Sequence, residues 1–302
     1  MTKTILCRFL IILLLFQSCE KKAREVIANN LFESTVTEEK PIQTASVLSQ
    51  TFKDYWYAGE AEISSYQLEQ MRYGELRTGK AVLVYVTEPF LAKAQVKADR
   101  NAPTNIPVLK LNSTKNFNSG IYPYAIMQST FYPVRNDQHA IKVSCSIQEW
   151  CGHVYLQLNN KEQFDITSHS YFEGEADEDF SLEKVPLENE IWTQLRIAPK
   201  SLPSGDFKMI PSLEYIRLKH KTLKAYDVTG EIKDYTYSLT YPELNRTLAI
   251  TFSANFPYTI LSWEETTDGK TTKASLLKTI KSDYWNKNRN SNEVLRKTLL
   301  LE

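Results

Sequence analysis

The chain has 302 residues, with 36 lysines and arginines against 36 aspartates and glutamates, and 12% of its residues are aromatic. No basic stripe runs through it, so the charge pattern excludes the polyanion-facing surface that nucleic-acid binding requires. Beyond the N-terminal segment no stretch is apolar enough to span a bilayer, which takes ~20 residues in a helix.

The first segment carries Lys3 and Arg8, then an unbroken apolar run from Phe9 to Phe16, then Gln17-Ser18-Cys19. A basic start and an apolar run too short to cross a membrane form a secretory signal. Ser18-Cys19 also resembles the lipobox of bacterial lipoproteins. Residues 1–18 are therefore expected to be removed, Cys19 to take a diacylglycerol on its thiol, and its new amine to be acylated. At ~0.8 kcal/mol per buried methylene, three acyl chains hold a protein firmly on a membrane. The alternative is an ordinary cleaved signal with an incidental cysteine. Cleavage removes Lys3 and Arg8 and no acidic residue, leaving the rest acidic by two charges. Cys7 leaves with the signal, so Cys145 and Cys151 are the remaining thiols, in a compartment that permits disulfides.

Residues 19–50 are polar with no sustained period and read as a tether between lipid and domain. From residue 51 to 302 the composition turns aromatic and β-branched, and the apolar period is two. Residues 81–86 are apolar on both faces, as in a strand covered on two sides. Residues 141–147 align Ile141, Val143, Cys145 and Ile147; residues 235–241 align Tyr235, Tyr237, Leu239 and Tyr241; residues 247–252 align Leu248, Ile250 and Phe252. Further strands are predicted at 61–68, 107–112, 124–132, 153–158, 163–171, 191–197, 213–219, 257–264 and 275–281. Turn residues lie between many of them, and no long amphipathic helix is expected. The fold class is all-β: one domain, a large curved antiparallel sheet or half-closed barrel of about a dozen short strands.

Within this pattern, Glu149-Trp150-Cys151-Gly152-His153 marks a hairpin end. A turn at Cys151-Gly152 opposes Glu149 to Val154, Ile147 to Leu156 and Cys145 to Leu158, placing apolar residues on one face. The two thiols are then about five residues apart along the hairpin, ~17 Å at strand rise, too far for a disulfide. The competing register sets Cys145 opposite Cys151 but puts Ile147 in the bend. Cys145 reads as a buried hydrophobe. Cys151 reads as a turn residue or, with His153 as base and Glu149 as orienter, as a nucleophile.

Three other groups offer chemistry. The acidic run behind His169, with Glu173, Glu175 and Asp177, reads as a solvated loop or as oxygen ligands for a metal. Cys151, His153 and His169 form a zinc set only if their strands are neighbours. His139 and His220 look like strand-edge residues without partners, and Glu60/Glu62 and Glu264/Glu265 are carboxylate pairs of unspecified role. No P-loop, dinucleotide fingerprint, H-E-x-x-H or G-x-S-x-G occurs, so no cofactor is expected. The aromatic excess, concentrated in 54–66 and 256–265, either fills a large core or lines a concave face that accepts an apolar or amphipathic ligand.

The stretches 52–90, 117–134, 148–160 and 168–177 resemble an uncharacterised family of bacterial lipoproteins, some labelled septum formation inhibitor Maf. The resemblance implies an envelope lipoprotein and carries no catalytic residues. Maf pyrophosphatases proper are α/β proteins with an S-x-R-R motif near the start, which this chain lacks. Three functions follow as expectations: a non-catalytic lipid-anchored binding domain, an envelope hydrolase using Cys151 or carboxylates with His153 or His169, and a division-associated interaction module.

Overall fold

The computed structural model describes residues 48–135 and 139–302. The signal, Cys19 and nearly all of the expected tether lie outside the described residues. The fold opens with helix α1 (Gln50–Trp56), whose N-cap Ser49 accepts from the Phe52 amide. Nine strands follow: β1 (Ala61–Arg72), β2 (Glu75–Leu91), β3 (Val96–Lys97), β4 (Ile106–Ser119), β5 (Tyr122–Pro133), β6 (Lys142–Glu149), β7 (Gly152–Asn160), β8 (Phe164–His169) and β9 (Asp177–Leu182). Helix α2 (Glu188–Ile197), β10 (Gly205–Met209) and helix α3 (Leu213–Lys219) come next. Strands β11 (Tyr226–Lys233), β12 (Thr236–Tyr241), β13 (Arg246–Phe252), β14 (Ile260–Thr267) and β15 (Lys270–Ser282) lead to helix α4 (Val294–Thr298).

The strands form one 15-stranded sheet in the order β10-β11-β12-β13-β14-β15-β1-β2-β4-β5-β6-β7-β8-β9, with β3 pairing β2 off this path. Every ladder is antiparallel. The sheet does not close, since β9 and β10 do not pair. Yet the segments following them meet at a single parallel bridge between Leu187 and Ile210, with Glu188 N–H donating to the Ile210 carbonyl at 2.9 Å. Two ends of one sheet can touch only if the sheet curls round. The curled, nearly closed β architecture expected from the period is therefore present.

Alternation holds on the inner face. Tyr66, Leu68, Ala81, Leu83, Tyr85, Tyr237, Leu239, Ile250 and Trp263 share one buried cluster. On β2 the intervening Val82, Val84 and Val86 point outward and are covered by Ile63, Ile280, Leu299 and Leu301. The doubly apolar stretch 81–86 is thus covered on both sides, its second face by the chain's last residues.

Two predicted strands are helices. Residues 191–197 and 213–219 belong to α2 and α3, which sit inside the curled sheet. Short apolar runs do not separate strand from buried helix, and here i, i+4 and i, i+3 spacings (Ile191/Leu195, Leu213/Ile216) decide. Ser212 caps α3 by accepting from the Tyr215 amide, a start signal visible in the sequence. Tyr235 also departs from the expected face. It forms with Asp234 a two-residue hairpin loop, both at positive φ, and its ring is 55% exposed.

The helices explain where the interior charge comes from. Arg196 of α2 forms a two-pronged pair with Glu62 of β1 at 2.7 Å on each prong, and its Nε donates to the Pro257 carbonyl. Glu188 of α2 takes both prongs of Arg246 from β13, at 2.5 and 2.7 Å. Glu214 of α3 accepts from Lys115 of β4 at 2.7 Å and from Gln128 of β5. Helices α2 and α3 are each bolted to the sheet by buried, hydrogen-bonded charges. Such pairs offset a large desolvation cost and define a unique docking position.

Candidate functional site

Among the described residues, the aromatic interior is filled by side chains rather than open. Trp56, Tyr85, Tyr66, Trp263 and Trp192 pack against one another, with Tyr66 and Trp263 ring centres 4.8 Å apart and Trp192 edge-on to Trp263. The polar void between Lys115, Gln128, Glu188 and Glu214 holds only about 30 Å3. The aromatic excess is core, because α2 and α3 occupy the concavity that a sheet alone would leave open.

A larger space lies at the sheet's open edge. A cleft of about 1020 Å3 runs between β9, the loop 172–175, and the end of α3 with residues 220–223. Among the described residues, strand β9 pairs with β8 alone and presents its outer backbone ladder as an edge. Register sorts its side chains. Glu178, Phe180 and Leu182 stand opposite Ser168, Ile166 and Phe164, and these three residues of β9 line the cleft together with Leu156, Ile216 and Leu223. Asp177 and Asp179 sit opposite His169 and Thr167, and Thr167 donates to Asp179 at 2.7 Å.

Helix α3 ends at His220, which adopts a left-handed conformation (φ 48°) so that its N–H and that of Lys221 return to the last turn. This turn presents the His220 ring to the acidic loop, where Nδ1 lies 2.7 Å from Glu175. Arg217, 7% exposed, lies with its guanidinium 4.2 Å from the Phe172 ring centre. Its Nε is 3.5 Å from the same Glu175 carboxylate. Glu175 also accepts from Ser170 at 2.7 Å. The mouth of the cleft therefore carries mixed charge over an apolar floor.

The residues singled out from the sequence fall as follows. The β6–β7 hairpin turns at Trp150-Cys151, with Glu149 opposite Gly152, Ile147 opposite Val154 and Cys145 opposite Leu156. The expected register was thus two residues off. A shift of two leaves every side chain on its face, which is why the apolar pattern satisfied both. Gly152 answers to a different demand from turn geometry: a Cβ there would come within 2.5 Å of the Tyr171 ring. Cys145 is buried and Cys151 exposed, and both are free thiols.

Cys151, His153 and Glu149 do not assemble as nucleophile, base and orienter. His153 stands opposite Gln148 on the outer face, whereas Glu149 accepts from the Cys151 amide. Hydrogen bonding to Glu149, then the charge of that carboxylate, pushes the Cys151 thiol up, away from the thiolate that nucleophilic attack requires. Accordingly, Cys151 should alkylate more slowly than free cysteine at neutral pH and faster in Glu149→Gln, while Cys145 reacts only on unfolding. A thiol titration showing Cys151 faster than free cysteine would revive the nucleophile.

The metal sets also come apart. Among the described residues no three His, Cys, Asp or Glu side chains converge on a common point. His169 faces Asp177 at 3.4 Å, and Glu175 is held by His220 and Ser170 while Glu173 lines the cleft. The other two histidines have partners after all: His139 lies 2.9 Å from Glu190, and His220 meets Glu175. Burial pushes Glu62 and Glu265 up, but Arg196 and Arg246 outweigh it and hold both carboxyls below their ordinary range. A general acid needs the opposite direction.

Among solved structures the chain is similar to a beta-barrel-like protein of domain of unknown function DUF1849 from Brucella abortus. Identity is 6% and the TM-score 0.43, over 74% of this chain and 97% of that one. No protein-family model and no curated protein matches the sequence. Among the described residues no helix is long and apolar enough to cross a membrane.

Arg217, Ile216 and Leu223 did not stand out in the sequence, and His220 reads there only as a strand-edge residue. The Ser212 cap followed by Arg217 and Lys219 in the last turn was the available signal for the helix that presents them.

Proposed function

We propose that this chain is a lipid-anchored protein of the cell envelope whose β domain binds an amphipathic ligand without catalysis. The observation that carries the binding is the cleft of about 1020 Å3 beside the free edge of β9. Its Phe180, Leu182, Ile216 and Leu223 offer apolar surface, and five carboxylates line it together with Arg217, His220 and Lys221, so it pairs apolar with charged contacts. The anchor rests on Cys19 behind the apolar run 9–16. Against a hydrolase stand the upward push on the Cys151 thiol and the separation of its supposed partners.

The test uses the full-length chain produced in a bacterium and extracted into polymer-bounded nanodiscs. Native mass spectrometry should find about one non-covalent amphiphile retained per protein, and radiolabelled palmitate should enter the wild type but not Cys19→Ala. A protein that retains nothing defeats the binding reading. Absence of label from the wild type defeats the anchor.

A further inference from the structure

Among the described residues three arginines are buried, and one is treated differently. Arg196 and Arg246 are each 1% exposed and each saturated by a two-pronged carboxylate. Arg217 is 7% exposed, with no such partner. Its Nη1 lies 3.4 Å from both ring nitrogens of His220, a geometry of stacking on the ring rather than of a hydrogen bond in its plane. Its Nε is buried, makes no hydrogen bond, and lies 3.5 Å from the edge of a Glu175 carboxylate already engaged by His220 and Ser170. The guanidinium face is packed on Phe172, leaving its N–H edge as the unfilled part.

The consequence appears in how burial is answered. For Arg196 and Arg246, burial acts to lower the guanidinium pKa, but Glu62 and Glu188 more than reverse it. For Arg217 burial prevails and the net shift is downward, Glu175 notwithstanding. A buried guanidinium with five donors and loose partners is costly unless something completes it. Arg217 lines the cleft, so what completes it can enter from there.

We propose that Arg217 is the anion anchor of the cleft and that the ligand is a long-chain amphiphile with an anionic head, a carboxylate or a phosphate. This rests on the reading of the cleft as an amphiphile site. The head group pairs with the free N–H edge of Arg217, beside Lys221 and His220. The chain lies over Ile216, Phe180, Leu182 and Leu156. Glu175 is the internal stand-in for that anion: it occupies the place at 3.5 Å, too far for a full bond, and yields it to a better-placed oxygen. The acidic residues do not forbid this. Asp177 and Asp179 line the cleft with Glu173 and Glu178, but all four are exposed, where solvent screens them, whereas Arg217 is buried.

The experiment uses the full-length chain in nanodiscs with a diazirine-bearing fatty acid as probe, photolysed and mapped by mass spectrometry. Labels should fall on residues 156, 180–182 and 216–223. Competition should be strong with oleate or oleoyl lysophosphatidate and weak with dodecylamine or monoolein; which anion competes better distinguishes carboxylate from phosphate. Arg217→Gln should weaken probe binding about tenfold or more, the scale of a lost charge-assisted pair. Should that variant fail to fold, Glu175→Gln keeps the test open and should tighten binding by about threefold. If amine and neutral amphiphiles compete as well as the anions, the anion anchor is wrong while the cleft reading stands. If no probe labels the cleft, both fall. Unchanged binding in Arg217→Gln and in Glu175→Gln would overturn the assignment of Arg217 alone.

Discussion

Arg196→Met is expected to destabilise the protein by about 3–5 kcal/mol, the range found when one member of a buried ion pair is removed. Glu62 is fully buried, and Arg196 supplies both prongs of its pair; the remaining contact is the Tyr55 hydroxyl, with Lys281 nearby. Adding Glu62→Leu should restore much of the loss, since a buried pair is often replaceable by apolar volume even though neither charge is dispensable alone. Urea unfolding of the wild type, the single and the double variant measures this. A double variant no more stable than the single one would show that the pair is not the cause.

The same substitution is expected to invert a pH dependence. In the wild type, burial pushes the Glu62 carboxyl up, but Arg196 outweighs it and the net pKa lies below the ordinary value. The stability contributed by this group is therefore present above the unfolded-state pKa and is lost as pH falls through the folded one. In Arg196→Met burial acts without its main counterweight, and the folded pKa should rise above the unfolded one. The penalty is then present at neutral pH and relieved as pH falls to about 5, where the carboxyl takes up a proton. Relative to wild type, the variant should gain stability between neutral pH and about pH 5. A difference between the two proteins that stays constant over that interval would contradict this account.

Trp56→Ala should cost about 3–5 kcal/mol, the range for removing a large aromatic from a core. Trp56 is 1% exposed, and its ring packs on Phe52, Tyr55 and Tyr85 with the Arg196 guanidinium 5.1 Å from its centre. With Phe52 it carries α1 into the interior. The indole N–H is buried without a hydrogen-bond partner, so Trp56→Phe forfeits no bond and should cost about half as much or less. Chemical denaturation of both variants decides it. Near-equal losses would mean that the N–H, rather than the ring volume, matters. Because Arg196 and Trp56 touch, their two costs should not add.

What could be read before folding follows the range of each interaction. The inner faces of β12, β13 and β6 were legible because Tyr237, Leu239, Ile250, Val143 and Cys145 alternate with polar neighbours. The β6–β7 register was not, because a slip of two keeps the same faces and only the turn differs. Residues 191–197 and 213–219 were misread because brief apolar runs look alike in a buried helix and a buried strand. The cleft was invisible for another reason: β9 and the end of α3 are distant in the chain, and only the curl of the sheet makes them face each other.

The sequence by itself determined the β class and which residues point together, because a strand's side chains alternate with position alone, whatever lies beyond. Only the tertiary structure decided where the charges go and where a space remains. Glu62 meets Arg196 across 134 positions, and Glu188 meets Arg246 across 58. A carboxylate's fate depends on the cation and the dielectric brought to it by folding, and neither is written in its neighbours along the chain.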